Sequence, residues 1–295
     1  QIETPRVVKY SQVRQGLRFI LYGYIMKLVV AENMAIYTGP YFNDPSRYQG
    51  FNVLLILYAA AYQIYGDFAG YSLIARGLSK MMGIELMRNF HQPYFATSPS
   101  DFWRRWHISL STWLRDYLYI PLGGNRGGQV AMYRNLMLTM LLGGLWHGAA
   151  LNFVFWGLFH GTILIVYRLL AKPMETFWKA LKVPTWIIHY GAIIFFFHLT
   201  CLGWLLFFAK RMQHVKVALR NLLDISAPID HSLLLTVFLF GGLTILIDLM
   251  REAISTEERS VFQSRGMRLV TYCLGVAILI LCGVFRSSEF IYFQF

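Results

Sequence analysis

Charge is what this sequence has least of. Asp, Glu, Lys and Arg make up 14% of its 295 residues, whereas hydrophobic residues reach 56% and aromatics 17%. Soluble domains carry about 25% charged residues. A chain this poor in charge and with a mean hydropathy of +0.46 cannot cover a water-exposed globule, so a bilayer must hide much of its surface. Acidic residues are the scarcer sign, 15 against 27 Lys and Arg, for a net charge of +12. On a soluble chain that excess would suggest nucleic acid. Here the cations lie between apolar stretches, which points to membrane-face loops and makes lipid headgroups, not nucleic acid, the expected partner.

Cysteine is nearly missing. Cys201, Cys273 and Cys282 all fall in apolar runs, which suits small buried hydrophobes and excludes a disulfide framework. No HExxH, CxxC or paired-carboxylate spacing occurs, so metal catalysis has little support. The absence of an internal repeat, a low-complexity tract or a flexible linker favours one domain over residues 1–295. The chain opens on a polar stretch from Gln1 and shows no signal-peptide pattern.

What is present is a series of long apolar stretches: Leu17 to Tyr37, Phe51 to Ile74, Leu136 to Leu170 with a glycine interruption, Trp186 to Ala209, Leu233 to Met250 and Leu269 to Phe285. A membrane helix needs roughly 20 apolar residues, so the chain is expected to be all-α and to cross the bilayer repeatedly. Arg and Lys occur in nearly every connection, which simple alternation of spans cannot reconcile with a cation-rich inner face. Some segments must be re-entrant or interfacial. The best candidate is His91 to Tyr133, amphipathic, rich in Trp and Tyr and too polar to span; irregular backbone at membrane depth requires surrounding protein or water.

Ionisable side chains inside apolar spans are costly and therefore candidate functional groups. Asp67, in QIYGDFAGYS between Gly66 and Gly70, reads as an orienting carboxylate or as a helix-packing hydrogen bond to a nearby Tyr or Ser. His147 lies in GGLWHG, 13 residues beyond Arg134, which is roughly 20 Å of helix. Apolar surroundings favour its neutral form, the state a general base requires, and flanking glycines permit a kink and close approach of a substrate. A histidine satisfied by a backbone carbonyl at a helix break fits the same residues. His160, 13 positions on, falls about 140° away on an ideal helix, so a shared metal site is not expected. His91, His189, His198, His214 and His231 are expected to be mostly structural.

The densest polar stretch runs from Ser98 to Gly128. Ser100 or Asp101 is expected to cap a helix, and Trp103, Trp106 and Trp113 to supply interfacial rings. Arg104, Arg105, Arg115 and Arg126 suit either lipid headgroups or a phosphate-bearing acyl donor. GGNRGG suggests an anion-binding nest but lacks the lysine and spacing of a phosphate loop. His107 stands at the centre.

DFWRRWHISLSTWLRDYLYIPLGGNRGG followed by GGLWHGAALNFVFWGLFHG resembles the membrane-bound O-acyltransferase (MBOAT) family, closest to its bacterial alginate O-acetylation branch; QIYGDFAGYSLIARGLSKMMG and the terminal FIYFQF add to the likeness. The resemblance implies helices around a transmembrane tunnel, a catalytic histidine at His147 and its partner at His107. Asp67, Trp103, Arg104, Arg105, Trp106, Arg115, Asp116, Tyr117, Asn125, Arg126 and Trp146 would support the site or the donor. It also implies a multi-pass protein of the bacterial inner membrane that takes acetyl from a thioester such as acetyl-CoA as substrate, with no bound cofactor and with polysaccharide-modifying partners outside the cytoplasm. Family members carry further N-terminal helices, which would place Gln1 partway into a longer parent. Gly66 and Ala69 depart from the family pattern, where a bulkier residue and Ser are expected. A D-alanyl transferase of the teichoic-acid type is the alternative within the enzyme class, and a transporter using His147, His107 and Asp67 as a relay is the alternative outside it.

Overall fold

The computed structural model describes residues 7–224, 226–252 and 264–285. The terminal FIYFQF lies outside them. Helices dominate: α1 (Tyr10–Tyr24), α2 (Glu32–Asn43), α3 (Phe51–Met81), α4 (Pro99–Arg105), α5 (Ile108–Leu114), α6 (Gly128–His147), α7 (Leu151–Ala180), α8 (Thr185–Phe208), α9 (Met212–Leu222), α10 (His231–Glu252) and α11 (Arg265–Cys282). No strand occurs among the described residues. Six helical stretches are long and apolar enough to cross a membrane: Tyr10–Asn43, Phe51–Met81, Leu151–Ala180, Thr185–Phe208, His231–Met250 and Arg265–Cys282. The chain is a polytopic, all-α membrane protein.

The long apolar stretch from Leu136 to Leu170 is not one span. α6 ends at His147, Gly148 takes a left-handed φ of +155°, and α7 starts at Leu151 and packs back along α6. Gly144 and Gly157 make that approach possible, since a Cβ on Gly157 would lie 3.0 Å from Leu141 Cα. The glycines beside His147 are therefore filled by protein: Gly143 faces Leu114 and Gly148 faces the Phe153 ring. This corrects the expectation that they leave room for a substrate chain.

Contacts divide the chain into two compact units, Gln1–Met87 with Ala218–Gln294, and Arg88–Val217. In the first, α1 and α3 meet along small residues two helical turns apart. Gly16 and Gly23 on α1 oppose Gly77 and Gly70 on α3, and a Cβ on either Gly23 or Gly70 would fall 2.7 Å from the other's carbonyl oxygen. Without a hydrophobic drive between helices in lipid, such close backbone packing supplies the attraction. Gly66 belongs to the same seam, where a Cβ would fall 2.8 Å from the Met26 carbonyl oxygen, so a bulkier residue has no space there. Between α1 and α2 the helix widens into a π-helical stretch, Ile25–Ala31, which carries Lys27. α11 leans on this unit through Gly275, against Leu21 and Ile25, and through its last carbonyl, Cys282 O, which accepts from Asn33 Nδ2 (2.9 Å). Its Cys273 is exposed, as is Cys282, and of the three cysteines Cys201 alone is buried as the apolar runs suggest.

The second unit contains α4 to α8. The segment His91 to Tyr133 holds two seven-residue helices, α4 and α5, a π turn at Arg115–Tyr119 and the glycine-rich loop before α6. α4 is capped by Ser98, whose hydroxyl accepts the Asp101 N–H (3.1 Å), with Pro99 in the first turn. Ser100 and Asp101 are not the caps, because the residue before a proline stays extended and so takes the cap position itself. Asp101 instead accepts from Arg105 Nε (2.9 Å) and from the Thr97 N–H (3.2 Å).

Candidate active site

His107 and His147 lie in the second unit, and each is held by local backbone geometry. His107 separates α4 from α5 with φ +42° and ψ +56°, a left-handed conformation uncommon for a side chain of its size. The loop before it pins the turn: His91 N–H donates to Arg105 O (2.9 Å), Ile108 N–H to Asn89 O (2.9 Å), and Ser109 N–H to the Asn89 side-chain oxygen (3.2 Å). Ser109 Oγ lies 3.3 Å from Nδ1 of His107. Burial pushes the imidazole down to about 4, so the ring is neutral at physiological pH.

His147 closes α6 and keeps 9% of its surface exposed. The rings of Trp146, Trp156 and Phe207 stand edge-on to it at 5.0, 5.2 and 5.2 Å, and Phe153 lies at 6.1 Å. Trp146 also stands edge-on to His107 at 6.1 Å, so one indole touches both imidazoles. The two histidines are near enough to interact electrostatically. The unbroken helix from Gly128 to His147 places the ring roughly 20 Å along the axis from Arg134, as the sequence suggested.

The remaining candidates divide. Trp103 joins the aromatic cluster behind His147, edge-on to Trp156 at 5.8 Å. Trp106 is not an interfacial ring: it is 2% exposed and packs on Phe90, Phe102 and Trp204 at 5.0, 5.6 and 4.7 Å. Arg105 is tied to Asp101 and to His91 O (3.4 Å), which makes it a brace for the His107 turn. Arg104, Arg126, Asn125 and Tyr117 are exposed. Exposed Arg115 pairs with Asp116 (2.7 Å), and that hydrogen bond holds the Asp116 carboxyl below the usual range. Asn125 accepts from Tyr119 Oη (2.6 Å). Three amides of GGNRGG are used within its own turn, Gly123 to Ile120 O, Gly124 to Tyr119 O and Arg126 to Gly123 O, so it is not an open nest. Buried Asn135 fastens the loop through Gly124 O (3.1 Å).

Asp67 belongs to the first unit. Its carboxylate is salt-bridged to Lys27, which also lies 3.8 Å from Glu32. The sequence reading missed Lys27 because it pictured the first span as uninterrupted and looked to Tyr or Ser for a partner. It also missed buried Asp248, which accepts from Tyr65 Oη at 2.8 Å. His160 was set aside on helical angle, but the break at Gly148 removes the premise. Trp156 stands between the two histidines, 5.2 Å from His147 and 4.6 Å from His160. A legible signal existed: Gly-Leu-aromatic-His-Gly occurs twice, at 144–148 and 157–161. Among the described residues no group of three His, Cys, Asp or Glu is placed to hold a metal ion.

The pattern of the membrane-bound O-acyltransferase family, MBOAT, matches residues 2–209. The chain belongs to that family. Relatives agree with this placement. A protein described as "Probable alginate O-acetylase AlgI" from Pseudomonas syringae pv. tomato is 44% identical over 71% of this chain and 38% of its own length. A peptidoglycan O-acetyltransferase from Helicobacter pylori is 30% identical over 98% of this chain and 58% of its own length. A teichoic acid D-alanyltransferase from Bacillus subtilis is 30% identical over 68% of this chain and 52% of its own length. The chain thus spans between about two fifths and three fifths of the relatives it matches.

Proposed function

We propose that this MBOAT protein catalyses O-acyl transfer, moving an acetyl group from a cytoplasmic thioester to a hydroxyl destined for a polysaccharide outside the inner membrane. The observation that carries the reading is His147 at the end of α6, walled by aromatic rings, with Trp146 edge-on to both it and His107.

His147 accepts the hydroxyl proton as the oxygen attacks the thioester carbonyl, forming the ester C–O bond. The C–S bond then breaks, and the departing thiolate takes the proton back from His147. A positioned base of this kind contributes typically 10²–10⁴-fold. Neutral His107 orients the carbonyl or the base through a hydrogen bond, and fixing both reactants beside the rings removes further entropy from the barrier. Acetyl-CoA is the simplest donor; an extracytoplasmic transferase that passes the acetyl on to polymer is the expected partner.

The test is radiolabelled acetyl transfer in purified membranes. His147→Ala should abolish transfer while membrane insertion and detergent melting are retained; turnover in that variant would remove His147 from catalysis. The D-alanyltransferase relative supports a second reading, in which the acyl group arrives from a carrier protein. Offering acetyl-CoA against a D-alanyl carrier separates the two.

A further inference from the structure

The helix that follows His107 is capped from outside itself. A residue at the start of a helix is ordinarily extended and accepts, with its own side chain, from an amide in the first turn. His107 holds that position at the start of α5 in a left-handed conformation, and its imidazole makes no capping bond. The acceptors come instead from Asn89, on the far side of α4. Its carbonyl oxygen takes the Ile108 N–H at 2.9 Å, and its side-chain oxygen takes the Ser109 N–H at 3.2 Å. One residue thus satisfies two of the amides that the first turn of a helix leaves without an intrahelical partner.

The same segment holds the other side of the turn. His91 N–H donates to Arg105 O (2.9 Å), Arg105 Nη1 returns a bond to His91 O (3.4 Å), and buried Phe90 stands edge-on to Trp106 at 5.0 Å. Residues 89–91 therefore bracket Trp106 and His107 on both sides, which is what a costly backbone conformation requires of its surroundings. Ser109 carries the hold on to the ring. Its amide is the one that the Asn89 side chain takes, and its Oγ lies 3.3 Å from Nδ1 of His107. A histidine capping its own helix would commit a ring nitrogen to the backbone, and the cap from Asn89 makes that unnecessary. We infer that Asn89 is a positioning residue for His107, capping α5 from a separate segment so that the imidazole is set by the cap and not used as one. Its bearing on turnover rests on the acyl-transfer reading; the cap itself does not.

Asn89→Ala removes the side-chain acceptor, and Asn89→Asp keeps an oxygen in its place. In labelled acetyl transfer, Asn89→Ala should lower kcat about 10²-fold, the scale of a small misplacement of a reacting group, with KM for acetyl-CoA unchanged. Asn89→Asp should restore the rate. Ser98→Ala, which deletes the local cap of α4, should lower melting in detergent as much as Asn89→Ala does while leaving kcat in place. The ¹H–¹³C signal of the His107 ring, assigned by its loss in His107→Asn, should shift in Asn89→Ala and return in Asn89→Asp. Equal loss of kcat in Asn89→Ala and Ser98→Ala, or a ring signal that stays still, would overturn the proposal. Should Asn89→Ala fail to fold, amide exchange in the wild-type protein decides: slow exchange at residues 108 and 109 supports the cap, and exchange at loop rates removes it. If the wild-type protein transfers acetyl and Asn89→Ala matches its kcat, the positioning role is wrong and the acyl-transfer reading stands. If the ring signal follows Asn89 while the wild-type protein transfers nothing, Asn89 still holds His107 and that reading fails.

Discussion

His147 and Trp156, nine residues apart on different helices, meet ring edge to ring face at 5.2 Å. On one continuous helix their separation would be about 13 Å along the axis. The turn at Gly148 to Ala150 reverses the chain and sets the second turn of α7 beside the last residue of α6. The base and the aromatic cluster therefore depend on one reversal.

The His107 backbone should reward glycine. A non-glycine residue held at φ +42° carries a cost of order 1–3 kcal/mol, which glycine does not. His107→Gly should melt higher than His107→Ala in detergent, while both lose acyl transfer. Equal melting would show that the neighbouring loop sets this turn without strain at residue 107.

Acid should weaken the fold through the same residue. His107 titrates near 4 when folded and near 6.5 when exposed. Between those values the unfolded chain binds the extra proton, so stability rises with pH across that window. The contribution of this site should be level above about pH 6.5 and should decline towards pH 4. His107→Asn, which tolerates the left-handed conformation and does not titrate, should flatten that part of a melting-versus-pH curve. A profile unchanged by the substitution would assign the acid sensitivity elsewhere.

Lys27 and Asp67 form a pair with side-chain exposures of 18% and 7%. Removing one partner of a buried pair leaves an uncompensated charge and costs about 3–5 kcal/mol. Lys27→Met or Asp67→Leu alone should lower stability towards that range, and the double variant Lys27→Met/Asp67→Leu should lose less than the sum. Additive losses in chemical denaturation would mean that the pair contributes no coupling.

The α1–α3 seam gives a prediction with an internal control. Gly70→Ala pushes a methyl to 2.7 Å from the Gly23 carbonyl oxygen, whereas Gly39 on α2 faces open space. Overpacking costs about 1–3 kcal/mol, so Gly70→Ala should melt well below the parent. Gly39→Ala should be neutral or stabilising by up to about 1 kcal/mol from helix propensity. Similar melting of the two would locate the seam elsewhere.

The sequence by itself determined the class of molecule and the position of His147 along its helix. Too little charge for a water-facing surface, with apolar runs of helical span length, dictates a polytopic helical protein, and 13 helical residues beyond Arg134 fix how far His147 lies from the basic loop. Composition and period are local properties, and they survive folding unchanged. What the tertiary structure decided were the partnerships: Lys27 with Asp67, Trp106 in the core rather than at the interface, and His160 brought to Trp156 beside His147. Each depends on where one helix reverses and at what register another lies against it. Glycines set that register by letting backbones touch, and no periodicity within a single helix records which backbone will come to fill the space.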